Sequence, residues 1–249
     1  MNHIHRFDGK GKLYAKARPK YAVGFFDYLR NTLHVPDKST FADIGSGTGI
    51  FAEQLLQNGY RVLAVEPNGD MRKKAEEKLS DNPNFVSVNG CDGNMNLPDK
   101  SADFITAAQA FHWFDADAFG KECRRVLKKN GMVFLVYNKR DENADSVKTL
   151  AELYRRYNPD FHRFSNGIND AACRGFFTEL CDIYRTDNTP TYDRTGYINR
   201  VLSSSYSLKE SDGHYVEYLE KINEIFDTFS VNGTLSMPTE TVAYIGKVF

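Results

Sequence analysis

The chain has 249 residues, with 32 basic and 33 acidic side chains and a formal net charge of −1. Hydrophobic residues make up 41% and aromatics 13%. That excludes a disordered chain, and the lack of a basic excess argues against a general nucleic-acid binder. The balance shifts along the chain, from +5 over residues 1–40 through 0 over 41–140 to −6 over 141–249. The two ends could therefore fold against each other or frame a cleft, or simply carry solvated charge.

Residues 21–31 read as an amphipathic helix that ends before Pro36. Phe41–Ile44 reads as a strand, followed by a glycine turn and a helix from Ile50 to Asn58 closed by Gly59. Arg61–Val65 is the next strand, and Pro67 stands near the start of a helix running to Leu79. Asn84–Val88 and Asp103–Ala108 are the third and fourth strands. A helix over Asp115–Lys128, ended by Gly131, leads to a fifth strand at Met132–Tyr137. Strands alternating with helices imply βαβ units and a parallel sheet, with right-handed crossovers placing helices on both faces. After Asn138 the alternation stops. Helices are expected over Asn143–Tyr157, Asn169–Leu180, Tyr197–Ser203 and Lys209–Phe229, and strands at Cys181–Arg185 and Thr241–Val248. No repeat or linker divides the chain, so residues 1–249 are expected to form a single domain.

The four cysteines, Cys91, Cys123, Cys173 and Cys181, form no C-x-x-C pair, so no metal site is expected. Reduced thiols and an N-terminus without an apolar segment point to the cytoplasm. The longest apolar run, Met132–Tyr137, falls far below the ~20 residues of a membrane helix, so no membrane partner is expected. His3 and His5 could ligate metal, but fit a frayed terminus better.

The sharpest motif is Asp43-Ile44-Gly45-Ser46-Gly47-Thr48-Gly49, between a strand and a helix. In open α/β sheets ligands bind at the carboxyl ends of strands near the switch in strand order. Gly45 and Gly47 let the backbone turn tightly and approach a ligand. Glu66 ends the next strand, where a carboxylate can accept hydrogen bonds from both hydroxyls of a ribose. The dinucleotide fingerprint is G-x-G-x-x-G, whereas here the spacing is G-x-G-x-G with Ile50 at the place of the last glycine. Asp43 would repel a pyrophosphate and can meet an ammonium group. The expected ligand is therefore a nucleoside with a positively charged tail.

These residues resemble the cofactor motif of class I S-adenosylmethionine-dependent methyltransferases, over residues 40–138. The resemblance extends to the small-molecule branch that includes trans-aconitate methyltransferase. It rests there on Tyr14-Ala15-Lys16-Ala17-Arg18-Pro19-Lys20-Tyr21, on Ala110-Phe111-His112-Trp113-Phe114 and on Tyr244-Ile245-Gly246. It implies a doubly wound, mostly parallel seven-stranded Rossmann-like sheet, with a C-terminal antiparallel edge strand and a helical cap. Residues 1–39 would be an N-terminal arm, 40–138 the cofactor core, and 139–249 the sheet completion and substrate cap. The implied cofactor is S-adenosylmethionine, with S-adenosylhomocysteine as product, and the implied partner is a small-molecule substrate. Asp43 and the Gly45–Gly49 backbone, Ser46 included, would hold the methionine part and Glu66 the ribose hydroxyls, with Pro67 also at the cofactor. The loop after the third strand would hold the adenine. There Gly93 occupies the position where relatives carry an acid before Leu97-Pro98, and Asp92 precedes it, as an adenine partner or a turn-forming residue.

Methyl transfer from a sulfonium is an in-line displacement, to which a protein contributes mainly by positioning and by excluding water. A carboxylate acceptor is already ionised at pH 7, whereas a hydroxyl, amine or carbon acid needs a base. His112, beyond the fourth strand, is the candidate base, the alternative being a helix-start histidine packed on Trp113. Trp113 could wall the substrate pocket or cap the core. Gln109 could bond the cofactor or the substrate. Tyr14 could lie over the sulfonium, and Arg18 could pair a carboxylate. Tyr192, Tyr197, Tyr206, Tyr215 and Tyr218 could line a cap or simply pack.

Overall fold

A computed structural model describes residues 19–164, 169–204 and 206–248. Helix α1 (Val23–Asn31) precedes β1 (Thr40–Ile44), α2 (Ile50–Gln57), β2 (Arg61–Val65), α3 (Gly69–Leu79) and β3 (Phe85–Val88). The chain then returns through β4 (Ala102–Ala108), a 3₁₀ turn at Phe111–Trp113, α4 (Ala116–Val126) and β5 (Leu127–Arg140). It continues through α5 (Asp145–Tyr157), α6 (Asp170–Gly175), β6 (Asp182–Asp187), β7 (Thr191–Tyr192), α7 (Arg194–Leu202), α8 (Tyr215–Phe229), β8 (Leu235–Ser236) and β9 (Thr239–Gly246).

Seven strands form one sheet in the order β3-β2-β1-β4-β5-β9-β6. The first five are parallel, and β9 runs antiparallel to both β5 and β6. The antiparallel strand therefore lies one place in from the edge, which β6 forms. Period-two alternation explains how the sheet holds two layers of helices. On one face Val133, Leu135 and Tyr137 of β5 and Val242 and Tyr244 of β9 pack with Phe119 and Cys123 of α4. On the other, Phe134, Val136, Ala243 and Ile245 pack with Phe25, Phe26 and Leu29 of α1 and Phe51 and Leu55 of α2. A third apolar cluster joins α5, α7 and α8 as a cap, around Tyr154, Tyr197, Tyr218 and Phe226.

The structure departs from the sequence expectations at several boundaries. Helix α4 ends at Val126 rather than Lys128, and Leu127 already pairs with Ala102. The register shifts between Ala102 and Phe104, where Asn130 adopts a φ of 70°. Gly131 there is a bulge residue in a strand rather than a helix stop. Helix α6 covers only Asp170–Gly175, because the chain then turns to bury Phe177 against the sheet. Helix α8 begins at Tyr215, six residues later than Lys209, and α7 begins earlier, at Arg194, capped by the Asp193 carboxylate. The ribbon of β7 and β8 has no counterpart in the expected elements. Among the described residues no helix is long and apolar enough to cross a membrane.

Candidate functional site

The chain builds β1, β2 and β3 outward and then crosses back to place β4 on the other side of β1. That switch point opens a crevice at the carboxyl ends of the strands, and the glycine loop follows β1 directly into it. The amide N–H groups of Gly45 and Ser46 donate to the Val65 carbonyl at 2.8 and 3.1 Å, which ties the loop to the end of β2. Gly45 has a φ of 67°, and a Cβ there would lie 2.8 Å from Ala110 Cβ and 3.3 Å from the Phe114 ring. Only glycine fits both the backbone and the space. Gly49 serves differently. It starts α2 at a φ of 78° and abuts Leu79 and Ala75 of α3, so it sets helix packing rather than facing the crevice.

Glu66 is buried, and its carboxylate accepts from the Gly47 and Asn68 amides, each at 2.8 Å. Burial pushes its carboxyl above the ordinary range, opposed by these two N–H donors and by the Arg72 charge. Asn68 caps α3 by accepting from the Met71 amide at 3.0 Å. The acid is thus held by the glycine loop on one side and the start of α3 on the other.

Asp43 is completely buried. Thr106 on β4 donates its hydroxyl to Asp43 Oδ1 at 2.8 Å. Burial raises its carboxyl to about 7, with the nearby Glu66 charge adding to the rise and the Thr106 hydrogen bond opposing it. Asp43 Oδ2, Ser46 Oγ and Thr48 Oγ1 are buried without a hydrogen-bond partner among the described residues. Three unpartnered oxygens around one loop are costly unless a bound molecule supplies donors.

A cavity of about 330 Å³ runs from this loop to the cap. Its cofactor end is walled by Gly45, Gly47, Glu66, Pro67, Met71 and Asp92. Its middle is walled by Gln109, Trp113 and Phe114, and its far end by Arg140, Tyr192, Arg200 and Met237.

A family model described as a methyltransferase domain matches residues 42–135. A methyltransferase of Geobacillus sp. (strain WCH70), itself uncharacterised, is 32% identical over 168 residues, covering 67% of this chain and 71% of that protein. A methyltransferase-like protein of Schizosaccharomyces pombe is 31% identical over 152 residues, covering 61% of this chain and 58% of that protein. The match thus spans little more than half the length of the fission-yeast relative, and the same holds for a Mycobacterium bovis relative at 56%. The solved structure of a protein assigned as a type II methyltransferase from Anaeromyxobacter dehalogenans shares the fold, with a TM-score of 0.66 at 17% identity, over 93% of this chain and 98% of that one.

The chain belongs to the class I S-adenosylmethionine-dependent methyltransferases. The loop of this methyltransferase fits the cofactor that the family implies. The orphaned Asp43 oxygen suits a cationic donor, and Glu66 suits vicinal hydroxyls.

Of the residues singled out in the sequence, Asp43, Gly45, Ser46, Gly47, Glu66, Pro67, Asp92, Gln109 and Trp113 share this cavity. Asp92 Oδ2 accepts from the Asp115 amide at 2.9 Å, so the residue holds the approach to α4 while facing the cavity. Gln109 takes a φ of 55° at the end of β4 and donates from Nε2 to the Asn138 carbonyl at 3.0 Å. Gly93 and His112, like Gly49, stand elsewhere. Gly93 is absent from the cavity wall and faces Ala118 instead. His112 is also absent from the wall: the 3₁₀ turn directs its ring onto Trp113, 4.7 Å between centroids, and towards Tyr137 at 6.1 Å. The base role expected of it therefore has no geometric support, and the packing alternative describes its position. Tyr14 and Arg18 lie outside the described residues.

Sequence reasoning missed Tyr21, Asn68, Asn138, Arg140 and Arg200, all on the wall. Asn68 alone carried a local signal, as a helix cap after a strand. Among the five tyrosines, Tyr192 reaches the cavity, while Tyr197, Tyr206 and Tyr218 sit in the cap cluster.

Proposed function

We propose that this protein transfers a methyl group from S-adenosylmethionine to a small molecule held in the cap half of the cavity, with a carboxylate as the accepting group. The observation that carries this is the continuity of one cavity from the glycine loop to a wall made by the cap. When bound, the cofactor supplies an electrophilic methyl on a sulfonium. Glu66 would receive the ribose hydroxyls on a carboxylate already fixed by two backbone donors. Asp43 Oδ2 would receive the ammonium of the methionine part. Trp113 and Phe114 exclude water from the middle of the cavity.

No histidine stands among the described residues of the wall. An acceptor ionised at pH 7 needs no proton removed, and the protein's contribution would then be positioning. The small-molecule branch that includes trans-aconitate methyltransferase remains our assignment, supported by Ala110–Phe114 beside the cavity and by the Tyr244-Ile245-Gly246 ending within β9.

Thermal unfolding with S-adenosylhomocysteine or NAD tests the cofactor assignment. At one hundred times its Kd a ligand that binds only the folded chain stabilises by about 2.7 kcal/mol. Stabilisation by S-adenosylhomocysteine and not by NAD is expected, and stabilisation by NAD alone refutes the proposal. Transfer of labelled methyl from S-adenosylmethionine to a panel of small acids then tests turnover.

A further inference from the structure

β1 and β4 lie side by side in parallel, and on the face towards α1 and α2 they stack matched pairs of side chains. Phe41 stands opposite Phe104, with ring centroids 5.0 Å apart. One step nearer the crevice, Asp43 stands opposite Thr106. Both are completely buried, and the other buried residues of these two strands are apolar. A hydroxyl in such a place costs free energy unless it is bonded, and valine would fill the same space. Thr106 spends its hydroxyl on the acid, donating to Asp43 Oδ1 at 2.8 Å. The hydroxyls of Ser46 and Thr48, in the loop that follows β1, do not bond the carboxylate. One oxygen of Asp43 is therefore tied to the neighbouring strand, and the other, Oδ2, is left for the cavity that Asp43 lines. Thr106 itself is absent from the cavity wall, so whatever it does there it does through Asp43.

A carboxylate held at one oxygen cannot turn about its Cβ–Cγ bond without losing that bond, so the direction of the second oxygen is set by the first. We infer that Thr106 is a positioning residue for the cofactor, fixing the Asp43 carboxylate so that Oδ2 meets the ammonium group of the methionine part. The inference rests on the methyltransferase assignment above. The same bond has an electrostatic consequence. A donor bonded to a carboxylate favours its charged form, and here it opposes burial and the Glu66 charge, both of which raise the acid. Glu66, at the end of β2, is the charged group that acts on Asp43, while α1 and α2 pack this face with apolar side chains.

The test is calorimetric titration of the full chain with three ligands. These are S-adenosylhomocysteine, its deaminated analogue with hydrogen in place of the amino group, and 5′-methylthioadenosine, which lacks the amino-acid tail. Thr106→Val is expected to lose roughly fivefold or more in S-adenosylhomocysteine affinity at pH 7, and to keep both other ligands within twofold. Thr106→Ser, which restores the hydroxyl, is expected to bring S-adenosylhomocysteine back to within twofold of the native protein. Native affinity for S-adenosylhomocysteine should rise with pH as Asp43 ionises, and in Thr106→Val that rise should move to higher pH, because the bond favouring the carboxylate is gone. Titration of Glu66 is read separately from 5′-methylthioadenosine, which keeps the ribose and has no ammonium. Retained binding of 5′-methylthioadenosine certifies folding, and Thr106→Ala carries the test if the valine variant unfolds. Equal losses for all three ligands, no loss for S-adenosylhomocysteine, or a rise at unchanged pH overturns the inference. Native binding of the deaminated analogue as tight as that of S-adenosylhomocysteine also overturns it, by removing the pairing of Asp43 with an ammonium. Failure of S-adenosylhomocysteine itself to bind the native protein would instead overturn the methyltransferase assignment on which it rests.

Discussion

Replacing Asp43 with asparagine should stabilise the ligand-free protein and abolish a pH dependence that the native chain carries. The native carboxyl titrates near 3.8 when the chain is unfolded and is raised to about 7 by burial in the fold. A folded-state pKa above the unfolded one means that folding favours the protonated acid. The penalty is absent below about pH 4, grows as pH rises towards 7, and levels off above it. At about 1.4 kcal/mol for each pH unit between the two values, it reaches about 4 kcal/mol at pH 8 and about 1.5 kcal/mol at pH 5. Asp43→Asn would keep the acceptor for the Thr106 hydroxyl and carry no charge. The variant should therefore gain about 2.5 kcal/mol on the native protein between pH 5 and pH 8, or roughly 5–10 °C in Tm for a chain of this size. Calorimetric unfolding of both proteins across that range measures it. Binding supplies the second arm. An ammonium beside Asp43 favours the carboxylate, so S-adenosylhomocysteine should bind the native protein more tightly as pH rises through 7, and the variant should lose both affinity and slope. Adenosine, lacking the charged tail, should be indifferent to the substitution. A Tm gap that does not change with pH, or an Asp43→Asn protein that binds S-adenosylhomocysteine like the native one, would refute this account of Asp43.

Other substitutions probe the loop, the anchor and His112. Gly45→Ala forces a side chain into a φ of 67° with Ala110 Cβ 2.8 Å away. It should cost about 1–3 kcal/mol in chemical denaturation and at least tenfold in S-adenosylhomocysteine affinity. Gln54 both accepts from the Tyr21 amide and donates to the Tyr21 carbonyl, each at 2.8 Å. Gln54→Ala leaves those two backbone groups without their partner and should lower stability by about 1–3 kcal/mol, visible as a lower denaturation midpoint. His112→Ala should leave cofactor affinity unchanged within twofold while lowering Tm, since the ring packs on Trp113 rather than facing the cavity. A tighter or weaker cofactor in His112→Ala would return that residue to the site.

What could be read from the sequence follows how local each determinant is. The strand, glycine loop, helix and second strand with Glu66 occupy adjacent positions, and each carries its own backbone or burial signal, so the meeting of the loop and Glu66 in one crevice was legible. The β5 boundary was not. Lys128 and Lys129 read as the end of a helix, but Leu127 pairs with Ala102 across the sheet, a contact that no local propensity encodes. The ribbon of β7 and β8 joins two-residue strands separated by α7 and α8, too short for any periodicity. His112 shows the opposite error. A histidine just past a strand's carboxyl end invites a chemical role, yet a 3₁₀ turn rotates it away from the crevice by one or two positions, and Trp113 and Phe114 take the wall.

Segment charge was the weakest guide, and the reason is physical. Net charge counts groups wherever they point, whereas recognition depends on the few that face a cavity of low dielectric. Residues 141–249 carry a net −6, but several of their acids sit in exposed pairs such as Arg156 with Glu217 and Lys221 with Glu224. Exposed pairs of this kind contribute little to stability and are screened by salt. Among the described residues the buried charge of this segment is Arg200, and its sign is opposite to that of the segment. The cofactor end is the mirror case. Residues 41–140 are neutral in sum, yet the acids Asp43 and Glu66 are buried at its loop while many of its cations are spent on exposed helix faces.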